Sequence, residues 1–227
     1  KEKIDFCIVG EPTNPNKLGE MIKIGRRGSL SCQLEIEGSQ GHVAYPHLSK
    51  NPINSLIGIC KKLKEKPLDK GNKHFQPSNL EFTGINVDNK VHNIIPAKAK
   101  TQFNIRYNNF HTAISLKKKI KSVVKSICKR NKTKYKIDFL SSGDSFLTKP
   151  GITTQMVKKI IKKITKINPT FSTTGGTSDA RFIKKIAPCL EFGLVNKTMH
   201  KIDEQVSLKD LKKLQLIYLN ILQNYFK

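Results

Sequence analysis

The hydrophobic period of the middle of this chain changes in an order that leaves few folds open. Leu30, Cys32, Leu34 and Ile36 alternate with Ser31, Gln33, Glu35 and Glu37, the period of two that sets one face of a strand on a core and the other in water. Asn51-Pro52 then opens a helix, a capping Asn with Pro in the first turn, and Ile53, Leu56, Ile57, Cys60 and Leu63 follow at helical spacing. Two strand candidates come next, around residues 80–87 and 97–107, the second alternating through Ala99, Thr101, Phe103 and Ile105. A second amphipathic helix covers Leu116, Ile120, Val123, Val124 and Ile127, and Tyr135, Ile137 and Phe139 give a last strand. Residues 29–140 therefore read β-α-β-β-α-β, which predicts a ferredoxin-like α+β domain: four antiparallel strands with two helices on one face.

The flanks have a different pattern. Phe6-Cys7-Ile8-Val9 is a short apolar run stopped by Gly10, the signature of a strand buried on both faces. Glu11 follows directly, at the strand end where ligands sit in open α/β sheets. After Ser141 a helix runs over Met156, Val157, Ile160, Ile161 and Ile164, then come the Gly175-Gly176 turn and the apolar stretch from Cys189 to Phe192. Ser207 with Asp210 opens a final helix striped by Leu211, Leu214, Tyr218, Ile221 and Leu222, a variant capping box. Residues 1–28 and 141–227 are expected to form one α/β domain, interrupted by the domain of 29–140.

Composition removes several function classes. No apolar run approaches the roughly 18 to 20 residues that cross a bilayer, so no membrane span is expected. Lys1-Glu2-Lys3-Ile4-Asp5 shows neither an initiator Met nor a secretory pattern, which predicts a soluble protein whose start lies upstream. Cys7, Cys32, Cys60, Cys128 and Cys189 form no C-x-x-C pair, which favours reduced thiols in a cytoplasm over disulfides or a thiolate metal site. The formal charge of +25 invites a nucleic-acid partner, yet only five of the 42 basic residues are Arg. The Lys spread over helix exteriors without an Arg cluster or an RNA-binding aromatic signature, so no nucleic acid is expected as a partner.

Chemistry-bearing residues are few: Glu11, the run Gly41-His42-Val43-Ala44-Tyr45-Pro46-His47, Arg106, the stretch 173–179, and Met199-His200-Lys201-Ile202-Asp203-Glu204. Taken singly, each is more often a surface or core residue than a ligand. Together, Gly10-Glu11-Pro12-Thr13, Lys23-Ile24-Gly25-Arg26-Arg27-Gly28 and the His42 run resemble the succinyl-diaminopimelate desuccinylase family. That family lies within the superfamily of dinuclear-zinc aminopeptidases and acylases. The resemblance continues in order through Asn93-Ile94-Ile95-Pro96, Phe103-Asn104-Ile105-Arg106, Ser142-Gly143 with Phe146-Leu147-Thr148, residues 172–179 and residues 200–204.

The resemblance implies a zinc-peptidase-like α/β catalytic domain, incomplete in this chain, interrupted by the ferredoxin-like domain acting as a homodimerisation module. It implies hydrolysis of N-succinyl-LL-2,6-diaminopimelate to succinate and LL-2,6-diaminopimelate, on the route to lysine and peptidoglycan. Two Zn²⁺ per intact subunit, with Co²⁺ an alternative at one site, activate water and polarise the amide carbonyl in such enzymes. By the same analogy Glu11 and His200 are terminal ligands of different zincs, and His42 reaches from a partner subunit to the oxyanion. Tyr45, Asn93, Arg26, Arg106, Gly176 and Thr177 are substrate contacts, Arg being suited to carboxylates by its planar fork. An ion pair at the domain hinge is the competing role for Arg26. The family has Gly where this chain has Ala180. Its H-x-D histidine, bridging aspartate and Glu-Glu pair have no counterpart here, so the chain is expected to be a carboxy-terminal portion, inactive alone. The alternatives are another acyl-amino-acid deacylase or peptidase of the superfamily, and a non-catalytic dimerisation remnant.

Overall fold

The computed structural model describes residues 3–227; Lys1 and Glu2, assigned from the sequence to the α/β domain, lie outside the described residues. The chain divides into a first unit, Lys1–Arg27 with Phe146–Lys227, and a second, Gly28–Ser145. The first unit opens with β1 (Cys7–Val9), β2 (Met21–Lys23) and β3 (Gly25–Arg26).

In the second unit β4 (Gly28–Glu37) is followed by β5 (Gly41–His42), α1 (Pro52–Lys64), β6 (Asn79–Asn86), β7 (Ile94–Ile95), β8 (Lys98–Tyr107), α2 (Ala113–Arg130) and β9 (Lys134–Gly143). The four long strands pair antiparallel in the order β6-β8-β4-β9, the ferredoxin-like arrangement. Leu30, Cys32, Leu34 and Ile36 are buried on one face against Leu56 and Ile59 of α1 and Leu116, Ile120 and Val124 of α2. Asn51 Oδ1 accepts from Ile53 N at 2.9 Å, and Thr112 and Ser115 cap α2 reciprocally, so both helix starts satisfy donors that would otherwise be orphaned. On the opposite face Glu35 pairs with Lys98 and Lys100, each at 3.0 Å, and Glu37 with Lys136 at 2.9 Å.

A carboxylate ties the loop after α1 to the end of β8. Asp69 Oδ1 accepts from Gly71 N and Asn108 Nδ2, both at 2.7 Å, and Oδ2 lies 3.0 Å from His111 Nε2. Burial works to raise its pKa, but hydrogen bonds from Ser78, Gly71 and Asn108 outweigh it and hold the group at about 2. The folded value lies below that of the unfolded chain, so this stabilisation is complete above about pH 4 and is lost as pH falls toward 2. Asp69→Asn is expected to remove about 2 kcal/mol at neutral pH and to flatten the acid limb between pH 4 and 2 in far-UV circular dichroism. An unchanged limb would assign acid sensitivity to other carboxylates.

The first unit continues with β10 (Phe146–Leu147), α3 (Ile152–Thr165), β11 (Thr170–Ser172), α4 (Ala180–Ile183), β12 (Cys189–Glu191) and α5 (Leu208–Tyr225). Its main sheet runs β1-β12-β2-β11, with β1 parallel to β12 and β2 parallel to β11. Ile22, Ile24, Leu190 and Phe192 of the sheet region share a core with Val157 and Ile161 of α3 and Ile217 and Ile221 of α5. Among the described residues β1 pairs with β12 alone, and all three of its residues are half-buried; the expectation of a strand buried on both faces is corrected here. Cys32, Cys128 and Cys189 are buried and all five cysteines are free. Burial pushes the Cys32 thiol up to about 12 and that of Cys189 up to about 11, which leaves little reactive thiolate. No helix among the described residues is long and apolar enough to cross a membrane.

Candidate functional site

In the first unit, backbone bonds bring together two segments about 180 residues apart. Asn14, fully buried, donates from Nδ2 to Gly193 O and accepts at Oδ1 from Gly19 N and Met21 N, at 2.6, 3.1 and 2.9 Å. Asn196 N donates to Asn14 O at 2.9 Å, and Asn196 Nδ2 to Pro12 O at 3.3 Å. Half-buried Glu11 precedes this knot on one strand of chain, and exposed His200 lies just beyond it on the other. A Cβ on Gly193 would collide with the Glu11 carbonyl, so only glycine permits this approach of the two segments. His200 has φ 63°, and its N–H donates to Glu204 Oε2 at 3.2 Å.

Metal chemistry needs more than this pair. A catalytic zinc takes three protein ligands, and among the described residues no group of three or more His, Cys, Asp or Glu is arranged to hold a metal ion. Glu11 and His200 can each give one donor, which does not make a site.

The stretch 173–179 is held from beneath by charges. Arg26 Nε and Nη2 donate to Glu191, which is fully buried, and Nη1 donates to Thr174 O at 3.1 Å. The guanidinium expected to grip a substrate carboxylate is engaged in an ion pair with Glu191 within the first unit. Lys23 Nζ donates to Ser172 Oγ and Thr174 Oγ1, at 3.2 and 2.7 Å, and Ser178 Oγ donates to Glu191. Gly176 is exposed with open space beside it, and Thr177 is half-buried. The helix after the stretch is a single turn of four residues, so the donors for an anion are those of the loop itself. Ala180 is fully buried against Phe146 and Cys189, where its methyl fits the core.

Sequence reading placed Lys23 and Ser178 in motifs without giving them a role, and missed Glu191. A Glu inside the apolar run Cys189 to Phe192 was the available signal, because a charge on a buried strand demands a partner.

In the second unit β5 pairs with β7, His42 opposite Ile94, and Val43 N donates to Asn93 O at 3.0 Å. His42 and Tyr45 have ring centroids 5.9 Å apart. His42, Tyr45 and Asn93 thus form one exposed group. Ala44 N donates to His42 Nδ1 at 3.0 Å, which assigns the neutral imidazole proton to Nε2 and makes that nitrogen a donor. Half-buried Arg106 stands apart: it pairs with Ser29 and Asn79, beside the strand ends Gly28 and Tyr107. The His42 group joins the sheet at its other end, where Gly38 N donates to Ala97 O. Arg106 lies eight positions beyond Lys98 along β8, roughly 26 Å of strand.

Residues 24–132 match the family model of the Peptidase dimerisation domain. The chain is 64% identical over 226 residues to the succinyl-diaminopimelate desuccinylase of Pelagibacter ubique (strain HTCC1062), a match covering 100% of this chain and 59% of that protein. It is 47% identical over 225 residues to the enzyme of the same name from Paracoccus denitrificans (strain Pd 1222), covering 99% of this chain and 59% of that protein. The chain thus spans a little under three fifths of the length of these curated relatives. In fold it is similar to the crystal structure of aminopeptidase PepT from Bacillus cereus ATCC 10987, with TM-score 0.80, 17% identity, and 97% of this chain and 57% of that chain covered. The resemblance read from the ordered motifs is borne out along the whole chain.

Proposed function

We propose that this chain is part of a succinyl-diaminopimelate desuccinylase, a cytoplasmic zinc amidohydrolase that cleaves N-succinyl-LL-2,6-diaminopimelate to succinate and LL-2,6-diaminopimelate. The observation that carries the reading is 64% identity to a protein of that name across 100% of the chain. In the whole protein, zinc ions, with cobalt an alternative at one position, supply water activation and carbonyl polarisation. Glu11 and His200 each give one ligand, and the others belong to the part of the relatives' length that this chain does not span.

The remaining roles follow from chemistry. Gly176 and Thr177, on the exposed part of the 173–178 loop, receive a substrate carboxylate through N–H and hydroxyl donors. Arg26 acts by fixing that loop. Arg106 supplies a fork to a second carboxylate. His42, donating from Nε2, stabilises the oxyanion of the tetrahedral intermediate, with Tyr45 and Asn93 as polar contacts beside it. The reading includes a homodimer formed through residues 29–140, each site taking its His42 group from the partner; the match of residues 24–132 to a dimerisation domain supports it.

Purified holoenzyme is expected to release succinate from N-succinyl-LL-2,6-diaminopimelate with kcat/KM at least about a hundredfold above that for N-acetylornithine. The 227 residues assayed alone are expected to hold less than one tight zinc and to turn over nothing. Turnover with two zincs by this chain alone would relocate the catalytic site. A preference for the acetyl substrate would move the protein to another deacylase of the superfamily.

A further inference from the structure

One buried cluster in the first unit grips the 173–178 loop at both ends. At its start, Lys23 Nζ donates to Ser172 Oγ and Thr174 Oγ1, and Arg26 Nη1 donates to Thr174 O. At its finish, Glu191, paired with Arg26, accepts from Ser178 Oγ. Between the two grips Gly175 and Gly176 are exposed. Gly175 has φ 103°, and a Cβ there would strike Arg26 Nη1, so the loop passes directly over the guanidinium. The cluster holds two cations and one anion, and Lys23 is only 6% exposed. The charged groups acting on Lys23 are Arg26 on β3 and Glu191 on β12. Its contacts on β11 and the loop, Ser172 and Thr174, are hydroxyls.

We propose that Lys23 is the positioning residue of this loop: its ammonium fixes the Ser172 and Thr174 hydroxyls so that residues 175–177 present donors to a substrate carboxylate, and losing its proton loosens the loop. The substrate rests on the desuccinylase reading; the loop's response to Lys23 does not. Burial first, and Arg26 second, bring the Lys23 pKa down to about 8, against the opposing pull of Glu191. Above that pH the two charge-assisted bonds become neutral ones of about half the strength. Substrate capture therefore weakens in alkali.

Stability moves the other way. The folded state releases the Lys23 proton near pH 8 while the unfolded chain keeps it to about 10.4, so this group adds stability as pH rises between those values. The two directions differ because loosening the loop withdraws the Ser172 and Thr174 hydroxyls while Lys23 stays buried on β2, whereas unfolding exposes it to water.

The test is the pH profile of kcat/KM for N-succinyl-LL-2,6-diaminopimelate from pH 6.5 to 10, in the wild-type holoenzyme and in K23R and K23M. The wild type is expected to show an alkaline limb with midpoint near 8, carried by KM. K23R, whose charge persists throughout, is expected to lose that limb. K23M is expected to be flat, with KM raised ten- to hundredfold and kcat within about threefold. A limb near pH 8 that persists in K23R, or an unchanged KM in K23M, would overturn the proposal. Independently of turnover, Lys23 Cε chemical shifts in wild-type protein are expected to titrate near 8, and amide protection of residues 174–177, taken relative to the intrinsic base-catalysed rate, is expected to fall above that pH in the wild type and not in K23R; unchanged protection overturns it as well. If the wild type releases no succinate while the loop titrates as described, the substrate assignment fails and the positioning role stands.

Discussion

Arg26→Ala is expected to destabilise the first unit by about 3–5 kcal/mol, because it leaves a fully buried carboxylate without its partner. Glu191 has no exposed surface, and the Arg26 side chain is 10% exposed. In water each would be solvated; here the desolvation of both is offset by a forked pair, the Ser178 hydroxyl and the Thr174 carbonyl. Removing the guanidinium keeps the cost on Glu191 and deletes the compensation. For a typical urea dependence of about 1–3 kcal/mol per molar, the midpoint should fall by at least about 1 M. Arg26→Met with Glu191→Leu is the informative companion: both desolvation costs disappear together, and the double variant is expected within about 1–2 kcal/mol of wild type, the remainder coming from the Ser178 hydroxyl and the Thr174 carbonyl that lose their partners. A double variant as unstable as the single one would show that shape, not charge balance, holds this region. The same double variant is expected to lose substrate affinity, since it keeps the fold and releases one end of the loop.

What could be read in the sequence was what is local. The alternation Leu30, Cys32, Leu34, Ile36 and the helical stripe Leu116, Ile120, Val124 marked elements at least ten residues long, and Asn51 and Ser207 marked helix starts that hydrogen bond as caps. β2, β3, β5, β7, β10 and β11 span two or three residues each, too few to repeat the two-residue strand period twice, so alternation could not announce them. β1 read as doubly buried because its residues are apolar, whereas its burial depends on pairing. The candidate site divides along the same line. The His42 run is contiguous and legible as a motif, and its turn follows from local bonds within residues 42–45. The Arg26–Glu191 pair joins residues 165 positions apart, and Lys23 reaches Thr174 across 151. Such pairings follow from strand order, which one sequence does not display.

His42→Ala is expected to lower kcat of the holoenzyme by about 10²- to 10³-fold, the effect of deleting one oxyanion donor, with KM changed only a few-fold. His42 is exposed and its ring accepts a single bond, from Ala44 N, so the unfolding midpoint should stay within about 0.5 kcal/mol of wild type. That bond gives the effect its direction. It occupies Nδ1 and leaves the Nε2 proton for an oxygen acceptor; Gln, with an amide donor of similar reach, should recover part of the rate and Leu none. A mixed dimer tests where the donor acts. Subunits carrying His42→Ala and subunits carrying Glu11→Ala are each expected to be inactive in their own dimers. Combined, one site of each mixed dimer unites an intact Glu11 with the partner's intact His42, and activity should return to about one working site per mixed dimer. No return on mixing would mean that His42 serves its own chain, and the reading of the 29–140 unit as the donor of catalytic groups across a dimer would be abandoned.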